Sequence, residues 1–362
     1  MREVKNVNYI FFATMLILLG ASYIPFGSIT NNKIGLLLIS QGLIVIPTVM
    51  YFIGTKSKYC ETVGLKKIRV SNVILTAIFT ICMIPVMGFV NGLSQLYAVD
   101  STTSTMTQIT ESNPFLISLL CIAVVPAILE ESVYRGIFYQ NYRKVNPLGA
   151  IFLSAFLFGI LHGNLNQFTY ALFMGIIFAL VIEATDTIAS SMTMHFIING
   201  NSVVLLYLLP KLLDWLQTIY QNAVASGETE LADMIINNLG GANFSMDTIM
   251  LEATEISCNT LGMVLRTYGF SALVGGVLAF IVYRAIAINC GRWEHVKSLF
   301  VRKNSNNLKT EENTFTLSYV EEKPTSNERV SFWKIWTWPL TIAVVVLVIN
   351  MILNEIITRG VL

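Results

Sequence analysis

Charge is the first thing this sequence lacks. Asp, Glu, Lys and Arg make up 12% of its 362 residues, and hydrophobic residues make up 54%. A soluble domain carries roughly 25% charged residues. Half that share, combined with apolar runs longer than ~18 residues, excludes an ordinary soluble fold and identifies a membrane protein. An excess of one sign is lacking too. With 23 basic and 22 acidic residues the net charge is +1, so no global field points to nucleic acid. Paired cysteine spacing is absent. The five cysteines, at 60, 82, 121, 258 and 290, are scattered, which excludes a zinc knuckle or a disulfide framework and leaves them as apolar residues. Histidine is scarce, with three in the chain. No internal repeat is visible.

What the sequence does have is long apolar runs. Nine candidate spans fall at about 8–27, 34–54, 72–97, 114–142, 148–165, 167–185, 188–209, 267–289 and 335–357. The expected fold is an all-α polytopic membrane helix bundle of about 8–9 transmembrane helices. Arg2 and Lys5 precede the first run, but it is long and no small-residue cleavage site follows, so it reads as a retained helix.

Short cytoplasmic loops retain positive charge. Lys56, Lys58, Lys66, Lys67 and Arg69 crowd one loop, Arg143 and Lys144 the next, and eight more basic residues lie in 290–334, whereas 98–113 has none. An N-terminus on the cytoplasmic side puts all the basic loops inside. The expected location is a multi-pass protein of the bacterial plasma membrane. Six segments follow: two N-terminal helices in 1–65, a membrane core in 66–210, an acidic extracytoplasmic insertion in 211–266, a span at 267–289, a polar cytoplasmic linker in 290–334 and a last span in 335–362. Within the insertion, 211–223 carries an apolar stripe and reads as an interfacial helix or as half of a helical hairpin.

Ionisable groups inside hydrocarbon are costly, so each needs a reason. The fourth run contains Glu130, Glu131 and Arg135, the fifth His162, and the seventh His195 and Asn199. Asn146-Pro147 reads as an N-cap followed by proline at the first helical position, making runs four and five an antiparallel pair. Glu130 and His162 are each 16 residues from Asn146. At 1.5 Å per residue both lie about 24 Å from the turn, so they can meet. His195 and Asn199 share one helix face, and Glu131 and Arg135 can pair at the same four-residue spacing. That pairing leaves Glu130 free to face His162.

A carboxylate beside an imidazole in a poorly hydrated site can activate water. A second histidine and an amide can stabilise a tetrahedral oxyanion. Together they suit peptide-bond hydrolysis. Glu130, His162 and His195 also offer the ligand types of a catalytic zinc site, so the expected cofactor is either none or a divalent metal such as zinc. Taken singly, a membrane histidine is more often a helix–helix hydrogen bond and a Glu/Arg pair a stabilising contact. Glu183 and Asp186 read as interfacial and structural, and His295 as a solvated surface residue.

The ordered motifs EExxxR (Glu130, Glu131, Arg135), FxxxH (Phe158, His162) and HxxxN (His195, Asn199) resemble the CPBP family of intramembrane proteases, also called the CAAX-protease and bacteriocin-processing, or Abi, family. The preceding GLKKIRVSN run, Gly64 to Asn72, is similar too. The resemblance covers about residues 65–210. It implies a helical membrane core with its site open towards the cytosol, Glu130 and His162 as water activators, and His195 and Asn199 at the oxyanion. The implied partners are the bilayer and a membrane-associated or lipidated peptide or protein substrate, with no nucleic acid. Eukaryotic relatives trim prenylated CaaX proteins, and bacterial relatives are often assigned to bacteriocin maturation or self-immunity. Two other functions fit the residues: a non-catalytic immunity or scaffold protein that keeps the site, and a proton-coupled transporter, although the latter predicts repeated halves.

Overall fold

The computed structural model describes residues 2–28, 30, 32–228, 230, 233–234, 260–301 and 332–360. Most of the acidic segment and of the linker, 235–259 and 302–331, lies outside the described residues, and so does the expected structure of both.

Among the described residues the protein is all-helical. Helices α1 (Arg2–Ser22) and α2 (Lys33–Thr55) form an N-terminal pair, and a short α3 (Tyr59–Val63) follows. Next come α4 (Val70–Gln95) and a polar helix α5 (Thr102–Ser112). The core is α6 (Phe115–Arg143), α7 (Pro147–Ile160), α8 (Leu165–Thr185) and α9 (Ile188–Ser226). The chain then forms α10 (Leu261–Asn289), an amphipathic α11 (Trp293–Phe300) and α12 (Trp338–Thr358). Eight of these are long and apolar enough to cross a membrane. The protein is an integral, multi-pass membrane protein.

One expected span falls short. The run at 148–165 folds as α7, only 14 residues long. At 1.5 Å per residue it covers about 21 Å, less than the ~30 Å of a hydrocarbon core. Asn146 caps its start, accepting from the Gly149 N–H at 2.9 Å, with Pro147 at the first helical position as expected. Its far end closes in a tight turn with Gly163 at φ +65°, a left-handed conformation that glycine adopts without strain. Asn164 then caps α8 through the Gln167 N–H, 2.9 Å away. Non-helical backbone at this depth is tolerated where it lines a cavity.

Another expected boundary does not appear. Residues 211–223 continue α9, which runs unbroken through Pro210 to Ser226. A 39-residue helix is about 58 Å long, more than a bilayer's thickness, so its end projects beyond the hydrocarbon.

Packing is tightest around the core. Gly175 of α8 lies where an added Cβ would come 2.7 Å from Ala155 Cα of α7. Close backbone approach at small residues is the usual way for membrane helices to gain packing without a hydrophobic driving force. Beside this crossing, Tyr134, Ile137, Phe138, Tyr139 and Tyr142 of α6 are all essentially inaccessible.

Candidate active site

Five helices place the polar residues. Helix α6 bears Glu130, Glu131 and Arg135, the turn after α7 bears His162, and α9 bears His195 and Asn199. Glu130, His162, His195 and Asn199 all line one cavity of about 440 Å³. Helix α2 contributes a wall residue, Gln41, and α5 covers part of the space.

Glu130 has two neighbours. Gln41 Nε2 donates to its Oε1 at 2.6 Å, and His195 Nε2 stands 3.8 Å from its Oε2. Gln41 carries no motif, and its helix is 89 residues away in sequence. The one available signal was an amide in an otherwise apolar run. His162 faces the same cavity from the end of α7. Its Nδ1 lies 2.8 Å from the Phe158 carbonyl. A carbonyl only accepts, so Nδ1 carries the hydrogen and Nε2 of the neutral ring is left as an acceptor.

Glu131 does more than the expected pairing. It meets Arg135 Nη1 at 3.1 Å, and its Oε1 also lies 3.0 Å from His195 Nδ1. Glu131 and Arg135 are fully buried. The Arg135 guanidinium stacks 4.2 Å from the centre of the Phe158 ring and 5.1 Å from that of Phe178. Ring faces thus take the place of water around the cation. The carboxylate fixes the His195 ring so that Nε2 points towards Glu130, the second-sphere device that orients many functional imidazoles.

Asn199 is held by a broken helix bond. Its Nδ2 donates to the Ile122 carbonyl at 2.9 Å. In a regular α-helix that carbonyl would accept from residue 126, which is Pro126 and has no N–H. The surrounding turn, Leu120–Val124, is a π-helix, as is Ser132–Tyr139 just past the acidic pair. Such bulges often accompany functional sites. One hydrogen of the Asn199 amide is used on Ile122 and the second remains for a ligand.

Zinc was the alternative occupant. Among the described residues, no three His, Cys, Asp or Glu side chains are gathered closely enough to hold a metal ion. Glu130, His162 and His195 share the cavity without forming a ready ligand set.

The three remaining polar residues lie elsewhere. Glu183 is fully buried at the other end of α8, where Tyr139 Oη donates to it and His295 Nε2 lies 2.5 Å from its Oε2. Arg143 Nη2 is 3.1 Å from the same carboxylate, and Arg292 Nε donates to the Glu183 carbonyl at 2.7 Å. His295 is therefore not a freely solvated residue: α11 folds back onto the core because it supplies partners to a buried carboxylate. Asp186 pairs with Lys66 and lies 3.5 Å from Arg143. Glu183 and Asp186, expected to be interfacial and structural, both sit in ion pairs at this end of the bundle.

Residues 112–200 match the model of a family described as type II CAAX prenyl endopeptidase Rce1-like. The CPBP resemblance carried by the motifs is borne out over that segment, which contains Glu130, Glu131, Arg135, His162, His195 and Asn199. The match supports CAAX-type protease activity in a membrane protein. No curated protein and no solved structure matches the chain.

Proposed function

We propose that the protein is an intramembrane endopeptidase that hydrolyses a peptide bond of a membrane-associated polypeptide with water activated by Glu130. The observation that supports this most is the convergence of Glu130, His162, His195 and Asn199, from three chain segments, on one cavity. Glu130 is the general base. A water between Glu130 and His162 gives one proton to the carboxylate while Nε2 of His162 accepts a hydrogen bond from its other O–H. The hydroxyl oxygen bonds to the scissile carbonyl carbon. The resulting oxyanion accepts hydrogen bonds from the second Asn199 amide hydrogen and from His195. Glu130 then returns the proton to the departing amine as the C–N bond breaks. Glu131 and Arg135 are positioning residues that hold His195.

General-base catalysis is typically worth 10²–10⁴-fold. Cleavage by purified Glu130→Gln protein in proteoliposomes should fall by about that factor with thermal stability retained, and His162→Ala should behave alike. Asn199→Ala should cost on the order of 10²-fold, one oxyanion donor. Cleavage by Glu130→Gln at the wild-type rate would remove Glu130 as the base, and a wild-type protein that cleaves nothing while Glu130→Gln keeps its cellular phenotype would replace this reading with the scaffold one. Activity lost on exhaustive chelation and restored only by zinc would replace the metal-free mechanism.

A further inference from the structure

The last helix carries polar residues where an apolar span would suffice. In α12 the run IAVVVLVINMILNEII, from Ile342 to Ile357, is interrupted by Asn350, Asn354 and Glu355. Polar groups inside a membrane span are costly, so each needs a use. Glu355 is buried, and its Oε1 accepts from the Val99 N–H at 3.1 Å and from Arg359 Nε at 2.7 Å. Arg359 Nη2 also donates to the Tyr97 carbonyl, so this pair braces the segment between α4 and α5. Asn354 is otherwise exposed and has a different partner: its Nδ2 donates to the Gly163 carbonyl at 3.0 Å. Asn350, one turn earlier, faces the same glycine. A Cβ at Gly163 would stand 3.6 Å from Asn354 Nδ2 and 3.8 Å from Asn350 Nδ2.

Gly163 directly follows His162. The His162 ring is anchored to α7 through the 2.8 Å contact of Nδ1 with the Phe158 carbonyl. The backbone tightens at the same point: the His162 N–H donates to the Gly159 carbonyl at 3.1 Å and the Gly163 N–H to the Ile160 carbonyl at 3.2 Å. Beyond it the chain reverses into α8. Gly163, at φ +65°, has no Cβ to restrict it, so its dihedrals are the freest of the turn. Carbonyls at a helix end have no partner within the helix and need one outside it. The Asn354 amide supplies that partner to Gly163 and thereby fixes the peptide between Gly163 and Asn164. Asn164 in turn caps α8 and donates to Ser101 Oγ at 2.9 Å. His162 and Asn164 line the cavity, whereas Asn354 stands behind them and does not.

We infer that Asn354 is a positioning residue for His162: the last helix, which lies outside the matched segment 112–200, holds the turn that presents the imidazole to the water on Glu130. The inference rests on the protease reading for what His162 does, and on geometry alone for what holds it. Two neighbouring residues of α12 thus have separate tasks. Glu355 ties the α4–α5 segment to the bundle, and Asn354 acts on the reacting ring through one backbone peptide. Without the Asn354 donor the turn still forms, because its two short backbone bonds and the Asn164 cap remain. The Gly163 peptide is then free to rotate, and His162 Nε2 spends part of its time turned away from the water. The rate should fall by the equivalent of one neutral hydrogen bond, roughly 2–10-fold. The loss belongs in kcat, with KM unchanged, since Asn354 does not touch the cavity.

The experiment compares the wild type with Asn354→Leu by two readouts. Leucine removes the donor, keeps the approximate size and suits an exposed face of a membrane span, so the thermal midpoint in detergent should hold. Asn354→Ala carries the test if the leucine variant fails to fold. The first readout is the ring signal of histidines labelled with carbon-13 at Cε1. The chain has three histidines, and that of His162 is identified by its loss in His162→Ala. Asn354→Leu should shift the His162 signal and leave that of His295, in the Glu183 cluster, where it was. The second readout is cleavage of a prenylated CaaX peptide in proteoliposomes, where kcat should fall at unchanged KM. An unmoved His162 signal or an unchanged kcat would overturn the inference. A fall in kcat matched by a lowered thermal midpoint would overturn it too, leaving Asn354 a merely structural residue. A wild type that leaves the peptide whole would remove the CaaX-protease reading, while a shifted His162 signal would still leave Asn354 as the tie on that ring. Cleavage by the wild type with an unmoved signal would do the reverse.

Discussion

Glu131 and Glu130 are adjacent in sequence and opposite in environment. Glu131 meets a cation and an imidazole through Oε1, whereas Glu130 meets an amide, the far nitrogen of that imidazole and an open cavity. Breaking a buried ion pair by removing one partner costs roughly 3–5 kcal/mol, because the other charge is left uncompensated. Glu131→Gln should therefore lower the thermal midpoint in detergent clearly, and it should also lower cleavage per folded molecule, since His195 loses the acceptor that orients it. Glu130→Gln should affect only the second quantity. Equal stability loss in the two variants would show that the carboxylates are not divided this way. The four convergent residues were legible in sequence because helical spacing and the Asn146 turn fix their relative heights. The His195–Glu131 contact was not, since spacing gives height along an axis and leaves rotation about it open. Gln41 was hidden for a further reason: which helix packs against α6 is decided by side-chain fit across many residues.

Helix α7 sets the architecture of the site by being short. Its 14 residues end where His162 is needed, and α8 must then pack against it closely enough to carry the chain back. Gly175 permits this. A Cβ there would stand 2.7 Å from both Ala155 Cα and Cβ and 3.1 Å from Arg135 Nη2. The obstacle is largely backbone, which cannot swing aside. Overpacking of this kind costs typically 1–3 kcal/mol. Gly175→Val should lower the thermal midpoint and reduce activity together, because α7 is pushed off α8 and the Arg135 guanidinium beside the crossing is displaced. A Gly175→Val protein with unchanged melting and cleavage would show that the crossing has slack. Runs of apolar residues located every helix long enough to cross a membrane, yet the short α7 was read as a full span. Hydropathy continues through Leu161 and resumes at Leu165, and only the Gly163-Asn164 pair marks the turn. The continuation of α9 past Pro210 was equally hard to read, because a proline with local compensation can sit within a long helix.

At the scale of the whole molecule, the Lys/Arg-rich end is where distant segments are tied together. Lys66 before α4, Arg143 at the end of α6, Asp186 between α8 and α9 and Arg292 before α11 meet there. The sequence showed the basic residues, but not that two carboxylates would be their meeting point, since the pairs are up to 120 residues apart. Asp186 also holds a left-handed backbone at φ +59°, which Asp and Asn tolerate better than most residues. Burial alone would raise its carboxyl, but the Lys66 hydrogen bond and the charges of Arg292, Lys66 and Arg143 outweigh burial and hold it below the ordinary value. A carboxyl depressed in the folded state adds stability that is complete above its unfolded pKa of about 3.9 and is lost as pH falls through the folded value. Asp186→Asn keeps the backbone preference and removes the charge. The wild type should melt above this variant by a margin that is constant from neutral pH down to about pH 5 and closes only below about pH 4. Thermal unfolding in detergent across that range measures the margin. A margin already gone at pH 6 would assign the effect to another group and would remove Asp186 as the tie that holds this end of the bundle closed.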